Sequence, residues 1–280
     1  MEGRNSLRVG ENAMQVIFLG CSDAWGVPRV GCSCEVCRSG HSLESRNHRT
    51  GSSIALRYGP ARTERTVLID AAPEFRLQAT RLGLGPIDAV LLTHSHETHI
   101  LGIGPLLHST HKAGATLPLY APRSILENVR ERFGYIGADR IYRRALQPRA
   151  LEEATDLWGL ETQAFRVDHG LEGTAYGYLL SFGERRLAYI PCMLRPTDEV
   201  RQALTGLDLL VLGASHYHDE TELWKRSVMD IVTALELIGE VKPREAILTH
   251  LSHTVDQGIS ARLGSGISLA HDGLTREIGE

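Results

Sequence analysis

Short runs of apolar and β-branched residues recur along the chain, separated by polar or glycine-rich turns. The run MQVIFLG (residues 14–20) is typical of a strand, because it is short, apolar and ends at glycine. Comparable runs predict further strands: SSIALRY, TVLIDAA, DAVLLTH, LPLYAP, ETQAFRVDH, AYGYLLSFG, RRLAYIP, DLLVLGASH and EAILTHLSH. Helices are predicted over EFRLQATRLGL, GIGPLLHSTHKAG and MDIVTALELIGEV. Strands with helices between them predict a layered α/β fold.

The domain organisation follows from the same pattern. Residues 1–13 are polar and predict a flexible leader. Residues 14–280 predict one domain, because no linker divides them. Residues 123–150 are rich in arginine and favour helix, and they are interpreted either as a solvated helical face or as an anion-attracting lid.

Composition narrows the functional classes. The formal net charge is −4 and 42% of the residues are hydrophobic, which is typical of a globular protein and predicts neither a nucleic-acid nor a membrane partner. The N-terminus has no apolar run, so no signal peptide is predicted. Five cysteines, an odd and clustered set, favour metal or thiol chemistry in a reducing compartment over disulfides. We therefore expect a cytoplasmic protein.

Histidines mark the first candidate site. His94, His96 and His99 follow the predicted strand DAVLLT within six residues, and imidazole nitrogens are good ligands for zinc and similar ions. Three more histidines stand at other predicted strand ends, namely His169, His216 and His250. Strand ends at one edge of a sheet are where α/β sites assemble. A lone histidine there is more often structural, but this recurrence predicts a shared metal site.

A second candidate site is the motif Cys32-x-Cys34-x-x-Cys37. Thiolates at this spacing suit a tetrahedral structural zinc ion, which needs a fourth ligand. His253, three residues after His250, is the candidate for that ligand. The alternative interpretation is three free thiols in a loop.

The order LIDAAPEFRLQ, LLTHSHETH and ILTHLSH resembles the metallo-β-lactamase superfamily. The segment FLGCSDAWGVPRVGCSCEVC, followed by RTGSS, resembles the branch that contains the phosphoribosyl cyclic phosphodiesterase of phosphonate breakdown and the coenzyme PQQ synthesis protein B. The resemblance covers roughly residues 15–278 and implies a four-layer αββα fold. In that branch three cysteines and a histidine bind structural zinc, which implies the same role for the four residues of the second candidate site.

The resemblance also implies two active-site metal positions. The first would use His94, His96 and His169. The second would use His99 and His250, with Cys192 at the place where the family has a metal-bridging aspartate. The family motif H-x-H-x-D-H has Thr98 at its aspartate position here. Two carboxylate ligands are therefore missing, and the second metal is expected to bind weakly unless a Cys192 thiolate compensates.

Two further residues receive roles from the resemblance. Asp70 matches the family's L-I-D residue and is expected to orient a histidine. His216, in the pattern V-L-G-A-S-H, is expected to act as proton donor or oxyanion stabiliser.

These expectations predict a metal-dependent hydrolase of a phosphodiester or similar small ester, with metal-activated water as the nucleophile. The alternatives are a non-hydrolytic biosynthetic enzyme with a single histidine-bound metal, with iron as a candidate, and an inactive zinc-stabilised binding protein. The expected cofactors are one structural zinc ion and one or two active-site metals, zinc first and iron or manganese as alternatives. The expected partners are a small-molecule substrate and, by analogy with the family, a second copy of the chain.

Overall fold

The structure is a computed structural model that describes residues 13–134, 145–151 and 154–279. Its first sheet has the order β14-β1-β2-β3-β4-β5-β6, with strands β1 (Met14–Gly20), β2 (Ser53–Tyr58), β3 (Arg65–Ile69), β4 (Ala89–Leu91), β5 (Leu117–Ala121), β6 (Leu146–Ala150) and β14 (Thr275–Ile278). The second has the order β13-β12-β11-β10-β9-β8-β7, with strands β7 (Thr155–Leu157), β8 (Leu160–Asp168), β9 (Thr174–Phe182), β10 (Arg185–Ile190), β11 (Leu209–Gly213), β12 (Glu245–Thr249) and β13 (Ile267–Leu269).

Helices connect many of these strands. The α-helices among the described residues are Glu35–Ser39, Phe75–Arg81, Glu97–Ile100, Ile103–Lys112, Arg123–Arg132, Asp198–Ala203 and Ile231–Val241. Shorter 3-10 turns are Gly170–Glu172, Leu223–Lys225 and Gln257–Arg262. No helix among the described residues is long and apolar enough to cross a membrane.

Strand β1 shows why the sequence forms layers. Its side chains alternate between two faces, as in any strand. Phe18 points into the core between the two sheets, whereas Ile17 and Leu19 belong to a separate core outside the first sheet. Both faces are therefore covered, which explains why this strand is a continuous apolar run.

Three apolar cores among the described residues hold the layers together. One core lies between the sheets and joins Phe18 and Ile54 to Tyr189 and Val211. The second packs the first sheet against helices, with members Ile17, Leu19, Phe75, Ile103, Leu106 and Ile125. The third packs the second sheet against helices, with members Leu210, Leu212, Leu248, Val200, Ile231 and Leu237. The layer order is helix, sheet, sheet, helix, so the predicted αββα fold is confirmed.

The strands place the candidate chemistry at one edge. Strands β10, β11 and β12 run parallel, so their carboxyl ends lie side by side. Cys192, His216 and His250 lie within three residues of those ends, and His169 follows the end of β8. His94 follows the end of β4 in the first sheet. The edge therefore collects site residues from both sheets.

Two predicted segments lie partly outside the described residues. Of the predicted leader, the structure describes only Ala13, which is buried. The arginine-rich segment forms the helix Arg123–Arg132 and the strand Leu146–Ala150, while residues 135–144 lie outside the described residues.

Candidate metal centre

The first group of donors is Cys32, Cys34, Cys37 and His253, which we call the clip. Nδ1 of His253 lies 3.2, 3.5 and 3.7 Å from the sulfur atoms of Cys32, Cys34 and Cys37, respectively. Zinc–sulfur and zinc–nitrogen bonds of about 2.3 and 2.0 Å at a tetrahedral angle put these atoms about 3.5 Å apart. The donor set and its spacing therefore fit one structural zinc ion.

Local hydrogen bonding and burial shift the pKa values of the clip thiols. Cys34 caps the helix Glu35–Ser39 and accepts a hydrogen bond from the backbone N–H of Cys37. That bond is the main reason that the pKa of Cys34 is lowered to about 6, whereas burial raises the pKa of Cys37 to about 11. Because zinc binds the thiolate, Cys34 is the thiol best prepared for it.

A buried arginine fixes the loop that carries His253. Arg49 is 1% exposed, and its guanidinium donates to the carbonyls of Ser252 at 2.9 Å and Val255 at 2.7 Å. It also donates to Asn47 Oδ1, which in turn accepts from the backbone N–H of Gln257. Arg49, the first residue of the RTGSS stretch, thus ties the segment after the cysteines to the loop that carries His253.

The second group of donors lies at the sheet edge and consists of His94, His169 and Cys192. Their ligand atoms all lie within 4.8 Å of one another, and all three residues are buried. Nε2 of both histidines is buried and has no hydrogen-bond partner in the described parts of the chain. A buried polar atom without a partner is costly, and a metal ion at this position would satisfy both.

The orientation of these two histidines comes from their other ring nitrogens. Nδ1 of His169 donates to the carbonyl of Ser227 at 2.8 Å, which leaves Nε2 free to bind a metal. Nδ1 of His94 lies 2.9 Å from the hydroxyl of Thr93. Burial lowers the pKa of both histidines, so their neutral, ligand-competent form is favoured.

The third group of donors is His99, Cys192 and His250, and it shares the sulfur with the second. Cys192 Sγ lies 3.7 Å from His99 Nε2, which is close to the spacing expected for two ligands of one zinc ion. The rings of His99 and His250 stack with their centroids 5.9 Å apart. Ser215 Oγ contacts His250 Nδ1 at 3.1 Å and positions its ring.

Asp70 orients His99. Its carboxylate accepts from His99 Nδ1 at 2.8 Å, so Nε2 of that histidine faces the third group. The backbone N–H and hydroxyl of Thr93 also donate to Asp70. Burial raises the pKa of Asp70 to about 8, and the Thr93 hydrogen bonds oppose this rise. Such a carboxylate behind a metal-binding histidine fixes its tautomer.

The backbone at this edge is specialised. Asp70 and His250 have φ values of 61° and 59°, a left-handed conformation that is uncommon for residues other than glycine. Backbone strain of this kind clusters at functional sites. Gly213 lies beside Pro191, and a Cβ at that position would collide with the Pro191 carbonyl. The glycine therefore lets the segment before Cys192 approach the end of β11.

His96 and Thr98 belong to the histidine motif but lie outside the donor groups. His96 is not part of the second group, and its Nε2 instead faces Glu172 Oε2 at 3.4 Å. The ring centroids of His96 and His94 are 5.7 Å apart. The Thr98 hydroxyl is buried without a hydrogen-bond partner among the described residues, and Glu97 points away to Arg132. The ligand role of His96 stays a prediction.

His216 is half-buried at the rim of the same edge. Its Nδ1 lies 2.9 Å from the Thr254 hydroxyl and 3.3 Å from that of Ser252. This pairing leaves Nε2 as the nitrogen available to a bound molecule. Its predicted role as proton donor or oxyanion stabiliser remains a prediction.

Several residues that orient the ligands were not predicted from the sequence. Thr93 and Ser215 contact Asp70, His94 and His250 through side chains. Each precedes a histidine at a strand end, and that adjacency was the available signal. The Ser227 carbonyl that orients His169 has no such signal, because any residue has a carbonyl.

Comparisons with known proteins show which family this chain belongs to. Residues 65–251 match the model of the "Beta-lactamase superfamily domain". The chain is 32% identical over 244 residues to an octanoyltransferase of Porphyromonas gingivalis, covering 86% of this chain and 46% of that protein. The chain therefore spans about half the length of that relative.

Two solved structures are similar over nearly the whole chain. A diphosphatase of the PhnP family is 31% identical, with a TM-score of 0.81 and coverage of 95% of this chain and 97% of that one. The Zn²⁺-bound PqqB of Methylobacterium extorquens is 25% identical, with a TM-score of 0.73 and coverage of 94% and 100%. Together with the fold and the histidine motif, these findings show that the chain belongs to the metallo-β-lactamase superfamily, in the branch that includes the PhnP and PqqB proteins.

Proposed function

We propose that this chain is a metal-dependent hydrolase of a phosphodiester or of a similar small ester. The observation that carries the proposal is the pair of buried donor groups that meet at Cys192. A structural role does not explain why Nε2 of both His94 and His169 should be buried without partners. The similarity to a PhnP-family diphosphatase supports a substrate that carries a phosphoryl group.

A metal ion bound there would supply a Lewis acid and a water molecule of lowered pKa. The chain's own residues would hold and orient it. His94, His169 and Cys192 offer one set of ligands, and His99 and His250 offer a second set around the same sulfur. Asp70 fixes the tautomer of His99 through the bond to Nδ1.

His216 would act on the substrate rather than on the metal. It lies on the loop after β11, at the rim of the edge that carries the donor groups, and Thr254 holds its Nδ1. From there Nε2 would donate to a phosphoryl oxygen or to the departing alkoxide.

For the cofactors we propose one zinc ion in the clip and one or two metal ions at the sheet edge, with zinc first and iron or manganese as alternatives. The thiol of Cys192 favours zinc, because thiolates bind it better than they bind manganese. One or two dications bound by neutral histidines and one thiolate would leave the site with a net positive charge. A negatively charged phosphate substrate would complement that charge.

A second candidate function is non-hydrolytic chemistry at a single metal, as in a biosynthetic enzyme. The observation that favours it is the departure at Thr98, whose buried hydroxyl stands where the family motif has a carboxylate. The similarity to PqqB over nearly the full length of both chains supports it. Purified protein with zinc bound at the clip and iron bound at the sheet edge would favour this candidate.

The test is hydrolysis of bis(4-nitrophenyl) phosphate by protein loaded with zinc or manganese, with metal per chain measured on the same sample. We expect turnover by the wild type and its loss in His169→Ala. His41→Ala is the matched control, because His41 is exposed and lies outside the donor groups. A 4-nitrophenyl octanoate arm tests an acyl ester, which the octanoyltransferase similarity motivates.

Metal beyond the clip with no hydrolysis of any phosphate ester would contradict the hydrolase. Metal at the clip alone would instead favour an inactive binding protein.

A further inference from the structure

A short loop, residues 252–254, joins the clip to His216. Its middle residue, His253, turns Nδ1 toward the three sulfur atoms of the clip. The two neighbours of that histidine, Ser252 and Thr254, contact the ring of His216. We propose that Ser252 and Thr254 are positioning residues through which the clip fixes the orientation and the tautomer of His216; this inference rests on the proposed function.

The contacts around the His216 ring form a closed set. Thr254 Oγ1 lies 2.9 Å from Nδ1 of His216, and Ser252 Oγ lies 3.3 Å from the same nitrogen. The two hydroxyl oxygens lie 2.9 Å apart, and the backbone N–H of Thr254 donates to Ser252 Oγ at 3.1 Å. Both hydroxyl groups therefore hold the ring through one nitrogen and hold each other.

The position of the ring proton follows from the donors that need an acceptor. Ser252 is fully buried, so its hydroxyl hydrogen must be accepted within the protein. Donation from Ser252 to Nδ1 of His216 makes that nitrogen an acceptor directly. Donation from Ser252 to Thr254 Oγ1 leaves the Thr254 hydroxyl to donate to Nδ1 at the shorter distance. We therefore place the proton of the neutral ring on Nε2.

The backbone that carries the hydroxyl pair is held from two sides. The N–H of Ser252 donates to the carbonyl of Ser215 at 2.8 Å, which ties the loop to the segment that carries His216. The carbonyl of Ser252 accepts from the buried Arg49 at 2.9 Å on the side of the clip. The N–H of Val255 donates to the same carbonyl at 3.2 Å and closes a turn. A change in the clip therefore reaches the His216 ring through backbone hydrogen bonds.

A fixed tautomer is required for the role proposed for His216. A ring with its proton on Nε2 can donate to a phosphoryl oxygen or to a departing alkoxide, whereas the other tautomer presents only a lone pair there. His216 belongs to none of the donor groups in the described part of the chain. A wrongly oriented ring should therefore lower the turnover number and leave the metal content unchanged.

The experiment compares Thr254→Val, which removes the hydroxyl, with Thr254→Ser, which keeps it. Thr254 is exposed, so neither change disturbs the core. Thr205→Val is the matched control, because Thr205 is also exposed and its hydroxyl donates to the Gln202 carbonyl. In zinc-loaded protein labelled with [¹⁵N]histidine, the ring ¹⁵N chemical shifts of His216 report which nitrogen carries the proton. Their absence in His216→Ala assigns them.

Activity is measured on the same samples as kcat and KM for diphenyl phosphate and for bis(4-nitrophenyl) phosphate. We expect Thr254→Val to lower kcat for diphenyl phosphate by about tenfold, part of the roughly 10²–10⁴-fold that a positioned general acid contributes, with KM and metal per chain unchanged. The loss should be smaller for bis(4-nitrophenyl) phosphate, since its leaving group is less basic. Thr254→Ser and Thr205→Val should match the wild type. Added to His216→Ala, Thr254→Val should cause no further loss.

The link to the clip is tested with Cys34→Ser at a temperature at which circular dichroism shows it folded. We expect its His216 signals to move in the same direction as those of Thr254→Val, whereas Ser33→Ala should match the wild type. Unchanged His216 signals in Thr254→Val, or in folded Cys34→Ser that has lost the clip zinc, would overturn the proposal. If the wild type hydrolyses neither ester, the proposed function fails, and the ring signals still decide the positioning role.

Discussion

Loss of one sulfur ligand from the clip should destabilise the whole fold. We expect Cys34→Ser to lower the zinc content by about one ion per chain, because the serine hydroxyl is a poor substitute for a thiolate. The clip joins Cys34 to His253 across 219 residues. A cross-link over a loop of that length lowers the entropy of the unfolded chain by an amount equivalent to about 5 kcal/mol at 25 °C.

That figure is an upper bound for this substitution. Two thiolates and His253 remain, so part of the constraint persists at high zinc, and we expect a loss of about 2–5 kcal/mol. The entropy of unfolding is about 2.1 cal/mol/K per residue. For 280 residues, the melting temperature should therefore fall by about 3–9 °C.

The assay combines thermal unfolding, followed by circular dichroism, with zinc analysis of the same purified sample. Ser33→Ala is the control, since Ser33 is exposed and lies between two clip cysteines. Added chelator should lower the melting temperature of the wild type toward that of Cys34→Ser. Equal melting temperatures and equal zinc contents in Cys34→Ser and the wild type would refute the role of the clip in folding.

Four further substitutions, at three positions, test the sheet edge. Thr98→Asp should restore a second-metal ligand and raise metal per chain in excess zinc; an unchanged stoichiometry would contradict the alignment of this motif. Cys192→Ala should lower occupancy at both donor groups, whereas Cys192→Asp should keep metal content and hydrolysis; equal metal per chain in Cys192→Ala and the wild type rules out a ligand role for this sulfur. Asp70→Asn should weaken metal binding at His99 by about 10–100-fold, measured by chelator competition. Unaltered affinity in Asp70→Asn would show that the tautomer of His99 does not depend on the carboxylate.

The sequence was most informative where ligands and strands follow one another along the chain. Strand β1 matches the predicted run 14–20, because a strand with both faces covered is apolar throughout. The clip was predictable because three of its donors lie within six residues and belong to a loop of fixed spacing. His94 and His250 stand at ends of predicted strands, and the fold gathers such ends at one edge.

What the sequence could not show depends on distances between remote residues. His96 lies two residues after His94, which is the spacing of the family's ligand motif. Its ring nevertheless faces Glu172, whose position is set by the turn after β8. The resemblance placed Cys192 where the family has a metal-bridging aspartate, but the distances that put its sulfur in both donor groups come from the three-dimensional arrangement. Local patterns carry no information of that kind, because it arises from the packing of two sheets.

The pairing of the first and last strands has a consequence for how this fold can be built into larger proteins. Met14 on β1 lies opposite Ile278 on β14, so the two ends of the described fold are neighbours across one strand spacing, about 5 Å. A segment attached to either end leaves from the same corner of the first sheet. A linker of a few residues should therefore allow circular permutation. A second domain can also be appended at either end without passing near the sheet edge that carries the donor groups, because that edge lies at the opposite ends of the paired strands.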